Sequence, residues 1–339
     1  MRAAEFRGRS LHLLQTLSCI CVFTVASVSV SCASHEAKSG FRVALITPGS
    51  ISDAAWNSGA YAGLLRIRDS LQAQVSQIEA HTPADQEEAL RTYAAQGYNL
   101  IFGHGFEFQA AAERVSAQYP KPVFVITSGE RVKGNVAPLI FKLSEASYLA
   151  GMVAGGMTRT GTIGFIGGIE LPPIKDAEAA WVAGAKAVDP KVLARSTYLN
   201  SFDDVAAGRE AALALMRVGA DMFHHNADAA ALGVFQAVKE SPAAYIFGAN
   251  SDQSALAPER VLGSAVIDLP RAFLEVARQV RGGHFMPSVE TFGLRSGVVR
   301  FQLNPLTDKL IPDSLAARVK QAADSIAATD QPAGMVPAP

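Results

Sequence analysis

Cysteine is almost absent. Three occur among 339 residues, Cys19, Cys21 and Cys32, and all lie within the first 32. The long stretch behind them holds no thiol, which excludes a disulfide framework, a cysteine nucleophile and a zinc-thiolate site there. A surplus of charge is also missing. Lys and Arg number 30 against 31 Asp and Glu, a formal net charge of −1, and no basic stripe collects phosphate contacts. Nucleic acid is therefore not an expected partner. The apolar run at residues 17–30 has 14 residues, short of the roughly 20 that a spanning helix needs. Signatures of chemistry are lacking as well. There is no GxxxxGK(S/T) phosphate loop, no GxSxG nucleophile elbow and no HExxH zinc motif. Gly103-His104-Gly105 opens like a dinucleotide fingerprint, but Phe108 stands where its third glycine should be. The glycine-rich stretch 161–168 runs through a strand pattern instead of following one. His224 and His225 point to opposite faces of a strand, with no third ligand at metal spacing. No cofactor is expected.

What the chain does have begins with an address. Arg2, Arg7 and Arg9 precede the short apolar run, and small residues follow it, which is the layout of a secretory signal peptide over residues 1–31. Cys32 comes directly after Ser31 at the end of that run, as in a bacterial lipobox, with Ser29 in the place where a Leu is usual. Cys32 is thus the candidate lipidation site. The alternative is a soluble periplasmic protein cleaved nearby. Cleavage there removes Arg2, Arg7, Arg9 and Glu5, leaving 27 basic against 30 acidic residues, a mildly acidic mature chain. Residues 32–40 are small and polar and read as a tether.

The body is rich enough in apolar side chains, 49% hydrophobic overall, to exclude disorder. Its length points to two globular lobes. From Phe41 short apolar strands alternate with longer helical stretches, the pattern of an α/β protein with parallel sheets. Strands are expected at 42–47, 74–79, 99–103, 122–127 and 137–141, then at 162–166, 192–198, 221–223, 243–247 and 261–266. Helices are expected between them, including 53–70, 144–159, 174–188 and 269–281, and a last one at 315–328. Residues 291–301 read as a hairpin, and the Pro- and Ala-rich end as a disordered tail. Two such sheets suit either two enzyme domains or a clamp that holds a small molecule where strand ends meet.

Several stretches stand out together by their order and spacing. They are Ser52-Asp53-Ala54-Ala55-Trp56-Asn57 with Tyr61-Ala62-Gly63-Leu64, Gly105-Phe106-Glu107-Phe108, and Tyr148-Leu149-Ala150-Gly151-Met152. Further on come the run 161–168, Ser201-Phe202-Asp203-Asp204, and Gly248-Ala249-Asn250-Ser251-Asp252-Gln253. In that order and spacing they resemble the basic membrane protein family of lipoproteins that serve purine-nucleoside ABC importers, over nearly all of 41–301. The resemblance implies a type I periplasmic binding protein: two Rossmann-like lobes with parallel sheets, joined by three crossovers and closing by a hinge. Mapped on this chain, lobe one covers 41–143 plus 268–284 and lobe two 144–267 plus 285–305. Residues 306–339 form a terminal helix and tail.

The resemblance also implies a site. Trp56 and Phe202 match the family's two stacking aromatics, which would sandwich a planar ring as the lobes close, at about 1–3 kcal/mol per stacked base. Asn57 can both donate and accept along a heterocycle edge. Gly105 and Phe106 form a turn that lets backbone approach the ligand. Asp53 and Asp252 are candidates by their place in the same motifs. Asn250 takes the slot of an acidic residue that accepts from ribose hydroxyls, and Ile267 the slot of a lysine that also meets the sugar. Where the family has an Asp against the base, Ala110 stands, with Glu107 or Gln109 as substitutes. Asn226 and Asp228 end a strand facing the same crevice. The structural alternatives are a core aromatic for Trp56, a helix-entry staple for Phe202, a helix cap for Asn226, and core positions for Tyr148 and Met152.

The expected function is capture of a purine nucleoside, nucleobase or other flat heterocycle outside the membrane and delivery to an ABC permease with its ATPase. The altered ribose partners favour a free base or another flat heterocycle. The alternatives are a ligand sensor that feeds a signalling system, and a nucleoside-processing enzyme. The last lacks an acid/base pair in the Asn250 and Ile267 slots.

Overall fold

The computed structural model describes residues 40–329. The expected leader, Cys32, nearly all of the tether and the tail after Thr329 lie outside the described residues. In chain order the strands are β1 (Arg42–Thr47), β2 (Gln74–Glu79), β3 (Leu100–His104), β4 (Val123–Thr127), β5 (Val136–Phe141), β6 (Thr162–Gly167), β7 (Leu193–Tyr198), β8 (Met222–Asn226), β9 (Tyr245–Asn250), β10 (Val261–Ile267), β11 (Glu290–Phe292) and β12 (Val299–Leu303). The helices are α1 (Trp56–Leu71), α2 (Pro83–Ala95), α3 (Gln109–Ser116), α4 (Leu143–Met157), α5 (Pro172–Val188), α6 (Val205–Arg217), α7 (Ala231–Glu240), α8 (Leu269–Arg281) and α9 (Asp313–Thr329).

The strands form two six-stranded sheets, ordered β11-β5-β4-β3-β1-β2 and β12-β10-β9-β8-β6-β7. The first is parallel throughout. The second is parallel except for β12, which runs antiparallel to β10. The chain is an α/β protein of two Rossmann-like lobes. Central strands carry unbroken apolar runs because helices cover both of their faces. In β1, Val43, Ala44, Leu45 and Ile46 are all fully buried. The edge strands β2 and β7 carry Gln74, Ser76, Gln77, Arg195, Ser196 and Thr197, and polar side chains of this kind protect an open edge.

The stretch 291–301 corrects one expectation. It is not a hairpin: β11 pairs in parallel with β5 in the first sheet, with Glu290 opposite Leu139, and β12 pairs with β10 in the second. Alternation marks both segments as strands but does not name their partners, and the free edges of two larger sheets outcompete a local pairing. Residues 290–292 therefore belong with the first sheet, and the third crossover follows Phe292. The chain changes lobes at Lys142–Leu143, at Asp268 and at 293–298. These passages are tied together: the Lys142 N–H donates to the Phe292 carbonyl at 2.8 Å and the Asp268 N–H to the Val298 carbonyl at 2.7 Å. Buried Glu145 accepts from the Leu294 N–H at 2.6 Å.

In the second lobe α4 and α5 cross almost backbone to backbone. A Cβ at Gly151 would lie 2.1 Å from the Trp181 carbonyl oxygen, and one at Gly184 would lie 2.0 Å from that of Tyr148. Tyr148 and Met152 flank this crossing as buried core, as their helical spacing suggested. Leu315, Val319 and Ile326 of α9 dock on the same cluster.

Candidate functional site

Helix α1 starts three residues later than its hydrophobic period suggests, and Asp53 is the cause. Its carboxylate accepts from the backbone N–H groups of Ala55 (3.0 Å), Asn57 (2.7 Å) and Ser58 (2.9 Å), while Ala54 sits at φ 59°. The acid satisfies donors that a helix N-terminus leaves open and suits its positive end. Asp53 is buried by this work and does not line the cleft, so its motif position indicated a cap and not a ligand contact. The cap makes Trp56 the first helical residue and places its indole between the lobes.

The cleft is built where strand ends converge. From the first lobe come Pro48, Trp56, Gly105, Phe106, Glu107, Ser128 and Phe141; from the second come Ile174, Phe202, Asn226, Asp228, Asn250 and Ile267. It encloses about 600 Å³ of free space, counting the part open to solvent. A wider mouth continues from it, sharing Pro48, Glu107, Leu171, Phe202 and Asp228 and adding Asn57, His81 and Asp203.

Trp56 is held from behind by His104, which the sequence reading passed over. The two rings stack at 4.0 Å between centroids and 23° between planes, and Phe141 meets the indole edge-on at 6.2 Å. Both imidazole nitrogens are engaged: Nε2–H donates to the Trp56 carbonyl at 3.0 Å, and the Thr127 hydroxyl donates to Nδ1 at 3.0 Å. Burial pushes the ring's pKa down to about 3, against the Trp56 carbonyl, so His104 is a neutral, fixed support. Phe202 enters from the loop after β7. Its ring lies over Gly168, where a Cβ would come within 2.3 Å of Cδ1, and the Ala230 N–H donates to its carbonyl at 2.8 Å. Capping of α6 falls to Asp204, which accepts from the Ala207 N–H at 2.9 Å. The two aromatics thus line one cleft from opposite lobes.

The polar groups are amides and carboxyls. Asn57 is 4% exposed and its Oδ1 has no partner. Asn226 does not cap a helix. Its Oδ1 accepts from Asn250 Nδ2 at 3.4 Å, and the same amide donates to Asp228 Oδ1 at 3.3 Å. Asn250 and Asp228 sit at φ 65° and 45°, left-handed positions that Asn and Asp tolerate best among side-chain-bearing residues. Burial, then the negative charges of Asp53, Glu107 and Asp203, hold the Asp228 carboxyl well above its ordinary range, with Asn250 opposing. Burial also raises Glu107. Glu107 lines the cleft, whereas Gln109 turns away to Glu113 and the Arg131 carbonyl and Ala110 is exposed. Asp252 is not in the lining. It is exposed, and accepts from Ser254 Oγ at 2.6 Å and Gln302 Nε2 at 2.7 Å. His224 and His225 are buried core, bonded to Ser147, Phe247 and Gln253.

Residues 41–331 match the family described as Bmp, ABC transporter substrate-binding protein PnrA-like. Basic membrane protein A2 of Borrelia garinii subsp. bavariensis is 30% identical over 297 residues, 84% of this chain and 86% of that protein. The ABC transporter nucleoside-binding protein BmpA of Lactococcus lactis subsp. cremoris is 28% identical over 329 residues, 88% of this chain and 93% of its own length. In structure, an ABC transporter solute-binding protein from Aeropyrum pernix superposes with a TM-score of 0.79 over 86% of this chain and 92% of that one, at 21% identity.

Proposed function

The chain belongs to the Bmp family of PnrA-like ABC transporter substrate-binding proteins, and from that premise we propose that it captures a flat heterocycle, a purine nucleoside, nucleobase or relative, between its lobes and delivers it to a permease. The observation that carries this reading is the pairing of Trp56 and Phe202 across one cleft, each on a rigid backing, with amide and carboxylate groups beside them. Rings brought from opposite lobes grip a planar ligand only when the cleft closes. Ligand therefore stabilises the closed arrangement, and a transporter can recognise that arrangement. Ligand binding by a BmpA relative named for nucleosides agrees with this.

Ile267 and Asn250 supply no cation and no fixed carboxylate for a ribose, which favours a free base or another flat heterocycle over an ordinary nucleoside. The protein acts outside the membrane, held by an acylated Cys32. Mass spectrometry of the molecule that co-purifies tests the ligand class, followed by calorimetric titration with inosine and hypoxanthine. A purine or other planar ring is expected. A sugar or an aliphatic amino acid would overturn the reading. Tight inosine binding with no hypoxanthine binding would restore the nucleoside and remove the free base. The intact mass of the mature N-terminus tests Cys32.

A further inference from the structure

The polar lining of this cleft is one-sided. Glu107 enters from the first lobe and Asp228 from the second, and exposed Asp203 stands at the mouth. Among the described residues no Lys or Arg lines either the cleft or its mouth. The one basic side chain there, His81, lies 3.5 Å from Glu79, its own acidic neighbour. The amide donor of Asn250 is already directed at Asn226 and Asp228. A separate observation points the same way: Asn57, 96% buried in the lining of the mouth, presents an Oδ1 with no donor. A buried carboxyl, a half-buried one and a buried amide oxygen thus stand beside an aromatic platform, with no Lys or Arg among the lining residues to answer them. Burying charge in this way costs stability unless a partner arrives. Burial, then the charges of Asp53, Glu107 and Asp203, raise the Asp228 carboxyl, with Asn250 opposing, and burial raises that of Glu107.

We propose that the ligand supplies the missing charge: a flat heterocycle carrying a cationic ring or a protonated amine, stacked on Trp56 and Phe202 and neutralised by Glu107 and Asp228. This rests on the reading of the cleft as a flat-heterocycle site and narrows it. Ion-assisted hydrogen bonds exceed neutral ones by enough to separate otherwise matched ligands by about tenfold.

Calorimetry on the mature protein at pH 7 tests this with two matched pairs, adenosine against 1-methyladenosine and nicotinamide against 1-methylnicotinamide, with inosine and hypoxanthine alongside. The charged member of at least one pair is expected to bind about tenfold tighter. Asp228→Asn should erase that preference, read as the ratio of the two Kd values within each pair, whatever the change in affinity common to both members. Glu107→Gln, from the other lobe, gives the same readout if the first variant folds poorly. Neutral members binding as well as charged ones, or a preference unchanged in both variants, would overturn the charge assignment and leave the heterocycle reading in place. Binding of none of the six molecules would overturn both.

Discussion

Phe202→Ala separates a ligand-gripping aromatic from a helix-entry staple. The ring is half-buried, packs over Gly168 and lines the cleft, while Asp204 alone caps the following helix. A fully buried Phe loses about 3–5 kcal/mol on truncation; this partly exposed ring should lose less than half of that. The binding term is different. Removing one face of a stacked sandwich forfeits about 1–3 kcal/mol, or roughly 5- to 150-fold in Kd. Calorimetric titration with the co-purifying ligand, beside thermal unfolding of the ligand-free protein, reads both quantities. The expected result is a large fall in affinity with a small fall in Tm. A protein whose Tm drops steeply while Kd stays within about twofold would show that Phe202 is a staple and that the cleft does not stack its guest.

Other perturbations follow from the geometry. Asp53→Ala removes the acceptor of three backbone N–H groups at the start of α1 and should cost about 1–2 kcal/mol in denaturant melts, with Trp56 loosened and affinity lowered too. Gly151→Ala forces a methyl against the Trp181 carbonyl and should destabilise the protein by about 1–3 kcal/mol without changing the Kd of the folded fraction. Acid should unfold the chain early. His104 and His224 are held near 3 and His225 near 4 by burial. The unfolded chain binds these protons near pH 6.5, so the stability they confer is present above that pH and is lost as pH falls towards 4–3, at about 1.4 kcal/mol per unit for each ring. Urea midpoints across pH 7.5 to 4.5 measure it. The raised carboxyls Asp228 and Glu107 work in the opposite sense, so Asp228→Asn should steepen the decline.

Most strands and helices were legible because their burial is written in short apolar runs. Arg42–Thr47, Gln74–Glu79 and Leu269–Arg281 fall on the expected residues. Pairing was not legible: nothing local in 291–301 says that its two halves join different sheets, so the third crossover was expected too early. Trp56 and Phe202 were expected at the cleft from the family resemblance and not from any local pattern, and both residues line it. The carboxylates could not be sorted in the same way. Asp53 and Asp252 lie beside site residues in the chain but face a helix terminus and solvent, whereas Glu107 and Asp228 face the gap. Direction at a loop depends on backbone turns such as φ 45° at Asp228, which composition does not reveal. His104 escaped notice because its part is to back another ring.

The central claim, that an indole and a phenyl from opposite lobes hold a planar guest, has a direct optical test. The chain contains two tryptophans, and Trp181 is fully buried in the second lobe's core. In a Trp181→Phe protein the remaining emission reports Trp56 alone. Addition of the ligand identified by mass spectrometry should quench that emission along the calorimetric binding curve, and Phe202→Ala should shift the curve to higher concentration. A ligand that binds by calorimetry yet leaves Trp56 emission unchanged would contradict the claim.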